Sequence, residues 1–528
     1  MSSFNKPSAA PFIRERHHRQ NGVLYLFIAL LLITLLPTLA WMIPPAMVDY
    51  PNHLARMFLL SDNHAISNPF YEIRWALYPN LAMDMMVPAL AKWIGAEAAT
   101  RMFYLASQLL VVSGAAALEY SIKRRLELAP FVPLMFLFSL PFVWGFLNFE
   151  FAMGCALWGI AVYHAACERS WAVRTVIHTL VSIPLFVSHL FAFGIYGFTV
   201  GVYELWRAYS KRSTLGELAR RLASIAVPAL ILIAVAKVAG GSVGGSGTKW
   251  NFAGKLFWVV HIMNGYSLLA SAASVAAVIF GGWRMSRSGY LQWQGLGAWL
   301  GIAFAILYLL MPWQLFDTSF VDLRVIVAAA LIVPSALRLK FPNSNVRHAT
   351  LVVVSAVIVV NAAVVTSVWA SYRADYEAAK RSFARLPKYA TVLIAHSGRG
   401  DDPPIGYLTE YPMYQVPVLA VHYASAFVPN LFTENGKQPV TVRPQWQRLD
   451  IPYGGPVPVA LLQKIAENGA LGQVPPFIRT WLEDFDYLYL LGPKIENPMP
   501  RFLDKITEGP RFVLYRIHKL NNLSATPN

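Results

Sequence analysis

The sequence predicts a polytopic α-helical membrane protein whose C-terminal part is an α/β domain. Three observations predict it. Of 528 residues, 56% are hydrophobic and 14% charged, with a mean hydropathy of +0.45, which is more apolar surface than a water-soluble chain of this size can hide. Apolar runs of about bilayer length recur between basic loops. Beyond residue 371 that alternation stops, and short β-like runs interleaved with helical ones replace it.

Arg14, Arg16 and Arg19 precede the apolar run 22–44. That run is long enough to cross a bilayer and lacks a small-residue cleavage site, so it is expected to be a retained first span rather than a signal peptide. Further spans are expected at roughly 100–121, 130–146, 150–167, 175–188, 190–206, 223–240, 264–282, 294–311, 322–338 and 349–369, about eleven in all. The segment 78–95 is apolar too, but it carries Pro79, Asp84, Pro88 and Lys92. If it crossed the membrane, the basic loop at 123–125 and every later basic loop would change sides. If it lies in the interface as an amphipathic helix, the basic loops at 123–125, 169–174, 207–221, 284–287 and 338–347 all share the side of the N-terminus, as the positive-inside rule favours.

The opposite side then carries a first loop 45–99, the turns at 148–150 and 188–189, the loops 240–265 and 312–322, and everything after Trp369. The stretch GGSVGGSG, 240–247, reads as a flexible linker. In the C-terminal part, helices are expected at 372–386, 458–468 and 477–485, and strands at 390–396, 416–421, 486–492 and 511–517. The expected organisation is a transmembrane domain over 1–371, which includes the loop 45–99, followed by a soluble α/β domain over 372–528.

The formal net charge of +16 is accounted for by cytoplasmic loops facing anionic membrane lipids, so nucleic acid is not expected as a partner. Cys155 and Cys167 stand about 18 Å apart along one expected helix at 1.5 Å per residue, too far to bridge within it. There is no disulfide framework and no CxxC motif. Walker, Rossmann, HExxH and GxSxG signatures are all missing. The stretch SVGGSGTK, 242–249, ends in Lys but lacks P-loop spacing. No cofactor is expected, and no metal is predicted.

The residues that carry chemistry gather opposite the basic loops. In MVDYPNHLAR an acid, an imidazole and a guanidinium (Asp49, His53 and Arg56) follow directly on the first span. Ionisable groups at such depth are costly and tend to be functional. If a helix runs through them, His53 falls on the face of Asp49 and Arg56 follows three residues later. Equally, Asp49 fits as the cap of a solvated first helical turn. Glu150, His189, Lys249, Trp250, Lys255, Asp317, Asp322 and Arg324 fall on the same side. Each alone reads most simply as a solvated loop charge, or as a histidine satisfying a neighbouring helix. Together, the Arg, Lys and His of the set form a group able to grip a phosphate or pyrophosphate.

With these residues in view, the chain resembles the GT-C superfamily of integral-membrane glycosyltransferases. Members have an acidic residue in the first outer loop just after the first span, amphipathic helices in that loop, about eleven to thirteen spans and often a C-terminal soluble domain. Asp49 matches the position of the acid, 78–95 resembles the interfacial helix, and Arg324 resembles the basic residue that contacts the lipid phosphate. Many members carry two adjacent acids, whereas Asp49 is followed by Tyr50. The resemblance implies inverting transfer of a sugar from a polyprenyl-phosphate donor to a glycan or lipid acceptor on the periplasmic face of a bacterial inner membrane. Asp49 would be the base, and Arg324, Lys249, Arg56, His53, His189 and Glu150 would hold substrate or lipid phosphate. A transporter or lipid flippase is the first alternative, but those folds usually repeat in halves, and no internal repeat is found here. A non-catalytic membrane assembly protein is the second.

Overall fold

The computed structural model describes residues 10–42, 44–62, 64–127, 129–239, 247–293, 295–316, 318–398, 412–434, 436–451, 454–469, 474–492 and 496–519, with side chains from residue 22 onward. Asp317 and most of the 240–247 linker lie outside them.

The helical part runs α1 (Ala10–Leu39), α2 (Tyr50–Leu60), α3 (His64–Ser67), α4 (Ala82–Ile94), α5 (Ala96–Lys123), α6 (Phe131–Phe136), α7 (Leu140–Trp144), α8 (Leu147–Ala165), α9 (Trp171–Ser188), α10 (Leu190–Ser210), α11 (Leu215–Val238), α12 (Phe252–His261), α13 (Leu268–Arg287), α14 (Leu296–Leu310), α15 (Val321–Ala336), α16 (Ser344–Ser371) and α17 (Arg373–Phe383). Among the described residues, six helical segments are long and apolar enough to cross a membrane, including 22–39 of α1, α5, α9, α11, α13 and the continuous run 344–383. Ten of the expected spans coincide with a helix. The exception is 130–146, which is broken into α6 and α7. The break has local causes: Pro141 starts α7, and Gly145 stops it at a φ of +96°, a backbone geometry that favours glycine.

The segment 78–95 forms α4. Its 13 residues reach only about 20 Å at 1.5 Å per residue, short of a bilayer core. One face is buried through Met83, Asp84, Val87 and Ala91, while Met85, Met86 and Trp93 point outward. The close α5–α8 contact depends on small residues. A Cβ on Gly154 would meet Leu110 Cβ at 2.6 Å, so only glycine lets the two backbones approach this closely.

Strands are short in the helical part: β1 (Tyr71–Ile73), β2 (Thr248–Lys249), β3 (Leu291–Gln292), β4 (Gln314–Leu315) and β5 (Arg338–Leu339). The C-terminal part adds β6 (Val392–His396), β7 (Val440–Val442), β8 (Val457–Pro458), β9 (Tyr487–Leu491), β10 (Leu503–Gly509) and β11 (Phe512–Ile517). Five of these make one mixed sheet in the order β10-β11-β9-β6-β8, in which β6 is parallel to β9 and β8 while β11 is antiparallel to β9 and β10. The central strands β6 and β9 are buried almost throughout, as expected of strands covered on both faces.

One expected strand is corrected. The run 416–421 is helical, a 3-10 turn over Val416–Leu419 followed by Ala420–Ala424. Pro417 cannot donate to a ladder, and a short run buried on every side has no period to tell helix from strand. The helix expected at 477–485 is split into Pro476–Arg479 and Trp481–Asp484.

The first loop is tied to the C-terminal part. β1 pairs antiparallel with β7, Tyr71 opposite Val442. Asn52 of α2 donates to Gln415 Oε1 at 2.9 Å and accepts from the Phe432 backbone N–H at 3.0 Å. Both therefore sit at the end of the bundle where α1 finishes, here called the outer end.

Candidate functional site

α1 ends at Leu39, and beyond Pro44 and Pro45 the chain turns through the fully buried Ala46, Met47 and Val48 into α2. Backbone bonds fix this turn against the α7–α8 corner: Val48 N–H donates to Val143 O at 3.2 Å, and Asp49 N–H to Trp144 O at 3.0 Å. Asp49 occupies the N-cap position of α2, yet its side chain makes no capping bond. The two readings open from spacing thus separate: the residue is where a cap would be, but its carboxylate is not used as one. Asp49 is half-buried.

Gly145 is the floor under this acid. A Cβ there would lie 2.9 Å from Asp49 Cβ. His53, one turn along α2, donates from Nε2 to the Gly145 carbonyl at 2.9 Å, since a carbonyl can only accept. The remaining ring nitrogen, Nδ1, has no hydrogen-bond partner among the described residues. Burial, reinforced by the Arg56 charge, pushes the imidazole down to about 3, so His53 is a neutral positioning group at physiological pH.

Arg324 comes from the first turn of α15, at the outer end of a late helix. Its guanidinium is buried and lies over the Phe146 ring at 4.4 Å and nearer the edge of contact with Phe149, at 5.7 Å. The residue before Phe146 is Gly145, which lies against Asp49. The Arg324 Nε–H has no hydrogen-bond partner among the described residues. Phe320, in the left-handed region at φ +59°, precedes α15 and packs on Trp144, which fits α15 against the same corner that holds Asp49.

His189 caps two helices. It ends α9 and begins α10, and Nδ1 accepts the Phe191 N–H at 3.2 Å. Its ring meets Phe149 edge-on at 5.6 Å, and Arg324 is the charge that acts on it. Glu150 lies in the first turn of α8, and its Oε2 is buried without a partner among the described residues. It lines a cavity of about 20 Å³ with Phe146 and Phe149, the residues under Arg324. Asp49 is not among the residues lining that cavity.

Two of the expected site residues are placed elsewhere. Arg56 is held by Asp84 of α4 at 2.8 and 3.1 Å and by Gln438 Oε1 at 3.1 Å, with both ions buried. Burial drives the Asp84 carboxyl up while Arg56 opposes it, so the guanidinium is committed to joining α2, α4 and the C-terminal part. Lys249 is exposed in β2, paired across from Gln314 of β4. The buried lysine of that region is Lys255, which donates to the Tyr308 and Met311 carbonyls at 2.7 and 2.9 Å and pairs with Asp322 at 3.3 Å.

Sequence reasoning passed over Trp144, Gly145 and Phe146. The signal was there: WGF interrupts an apolar run, and a glycine inside such a run marks a turn or a close approach. It also passed over Gln438, which no local pattern could connect to Arg56. Among the described residues, no three His, Cys, Asp or Glu side chains converge in a metal-holding group.

The fold and site together define a polytopic helical membrane protein with a C-terminal sheet domain and, at its outer end, an acid and a guanidinium on either side of the Gly145–Phe146 corner. No family model matches the sequence, and no curated protein matches it. Among solved structures, the chain is similar over 97% of its length, and 100% of the other, to ArnT from Cupriavidus metallidurans in the apo state, at 12% identity and a TM-score of 0.48. It is similar over 96% of its length, and 99% of the other, to the same protein bound to undecaprenyl phosphate, at 13% identity and a TM-score of 0.48.

Proposed function

We propose that the chain is an integral-membrane glycosyltransferase that moves a sugar from a polyprenyl-phosphate-linked donor to a glycan or lipid acceptor. The observation that carries this reading is that Asp49 and Arg324 flank one corner, with Gly145 lying against Asp49 and the next residue, Phe146, under the Arg324 guanidinium at 4.4 Å. Residues from the first loop and a late helix meet at the outer end of the bundle, one able to take a proton and one able to hold a phosphate. The resemblance of the whole layout to the GT-C superfamily points the same way.

The reaction is a single displacement. The acceptor hydroxyl attacks the anomeric carbon, the bond from that carbon to the phosphate oxygen breaks, and the configuration inverts. Asp49 takes the hydroxyl proton. Arg324 neutralises the charge that grows on the departing phosphate; its bed of aromatic rings keeps water away and strengthens that attraction. His53 holds the Gly145 turn, and with it the acid, in register. Glu150 and His189 flank Arg324 and contribute to the substrate-facing wall. The polyprenyl donor arrives laterally from the membrane, which is why no nucleotide-binding signature is needed. On this reading the chain is a multi-pass protein of a bacterial inner membrane, with its outer end and C-terminal domain in the periplasm.

The test is transfer by purified Asp49→Asn from a polyprenyl-phosphate-sugar donor. General-base loss is worth about 10² to 10⁴ in rate, so the variant should fall at least a hundredfold while its melting temperature holds. A wild-type rate in the variant would remove Asp49 as the base. Failure of the wild type with every polyprenyl-phosphate sugar tried would overturn the donor assignment.

A further inference from the structure

A second cavity opens on the other face of α2. Its volume is about 160 Å³. Tyr50 and Leu54 line it, whereas Asp49 and His53 of the same helix face Gly145. The fully buried Ala46, Met47 and Val48 connect Pro45, which lines the cavity, to Asp49.

Its depth in the membrane is set by three helices. α1 ends at Leu39, α16 ends at Ser371 and α5 begins at Ala96, and residues at those ends line the cavity: Trp41 and Arg373 just beyond α1 and α16, and Glu97 in the first turn of α5. All three helices are long and apolar enough to span. The cavity therefore lies at headgroup level, and Trp41 and Met42 are left exposed toward the lipid.

The lining carries both signs of charge, in pairs that open easily. Arg373 pairs with Glu377 at 2.8 Å, and Lys380 approaches Glu97 at 4.0 Å, all four side chains being about half exposed. Exposed pairs of this kind are worth only about 0–1 kcal/mol. Arg101 lies deeper, its guanidinium over the Trp41 ring at 4.8 Å. Lys380 stands over Tyr423 at 5.1 Å, and the Tyr423 hydroxyl donates to Glu97 at 3.3 Å, so the aromatic rings here already accept cations.

We propose that this cavity is a headgroup site for an amine-bearing phospholipid of the outer-end leaflet. A zwitterion exchanges partners without stranding a charge: its phosphate takes Arg101, Arg373 and Lys380, while its ammonium takes Glu97 and Glu377 beside the Tyr423 ring. A purely anionic headgroup would take the cations and leave the two carboxylates unpaired. The proposal needs the bundle to cross a membrane but not the transferase reading.

The experiment adds phosphatidylethanolamine or phosphatidylglycerol to the delipidated full-length protein in the same detergent and counts retained lipid by native mass spectrometry. The wild type should retain the ethanolamine lipid about tenfold better, a difference of about 1.4 kcal/mol. Glu97→Gln and Lys380→Gln alter half-exposed side chains, and both variants should melt as the wild type does. Glu97→Gln should abolish the preference between the lipids, and Lys380→Gln should weaken both. Equal retention of the two lipids by the wild type, or an undiminished preference in Glu97→Gln, would overturn the proposal.

Discussion

At Gly145 a single methyl group tests the architecture of the candidate site. Gly145→Ala brings a Cβ to 2.9 Å from Asp49 Cβ at a φ of +96°, a conformation that costs an L-residue about 1–2 kcal/mol. The expected outcome is transfer reduced at least tenfold, with circular dichroism showing the helices intact. His53 makes a pH prediction. Its folded value of about 3 lies below the ordinary 6.5, so under acid the unfolded chain binds a proton that the folded one refuses. Stability is therefore complete above about pH 6.5 and falls as the pH drops toward 3. Thermal unfolding of His53→Gln across that window should show a shallower acid decline than the wild type; an unchanged slope would mean that other groups account for it. Both residues were reachable to different degrees from sequence. The position of His53 on the face of Asp49 follows from helical spacing, whereas the carbonyl it bonds comes from a corner much later in the chain.

The element that most needs its partner is α4. Its buried face carries Asp84, paired with Arg56 of α2, and Asn148 of α8 accepts the Met83 N–H at 2.8 Å. Removing one partner of a buried ion pair costs about 3–5 kcal/mol, because the other charge is left stranded. Asp84→Ala should lower the melting temperature sharply, and Arg56→Met together with Asp84→Leu should recover much of the loss. If the double variant melts no higher than the single one, the pair is not what joins α2 to α4. The sides on which the basic loops fall were enough to read 78–95 as an interfacial helix rather than a span. The pair itself was not legible: Arg56 was expected to face substrate, and nothing local says that its charge is already matched. The same limit applies to 416–421, where burial on all sides erased the periodicity that separates helix from strand.

Across the whole molecule, the first loop and the C-terminal part hold each other. Asn52 bonds Gln415 and Phe432, Arg56 bonds Gln438, and β1 pairs with β7. A chain ending at residue 371 would leave the buried Asn52 side chain unsatisfied, at about 1–3 kcal/mol, and would strip β1 of its only ladder among the described residues. Such a chain is expected to insert into the membrane but to lose transfer, with protease cutting near β1. Normal activity in the truncated chain would show that α2 keeps Asp49 in place unaided. Asn52→Ala in the full chain should show a milder version of the same loss.

Most helix positions in the membrane part, the interior strands β6, β9 and β11, and the candidate acid behind the first span follow from local pattern: hydropathy, period, proline and glycine are properties of neighbouring residues. Which charges meet is a different matter. Asp49 and Arg324 come to one corner, Arg56 finds Asp84 and Gln438, and Lys249 stays at the surface while Lys255 is buried. Those pairings join residues far apart in the chain, and their energies depend on burial and angle, which exist only once the helices have packed.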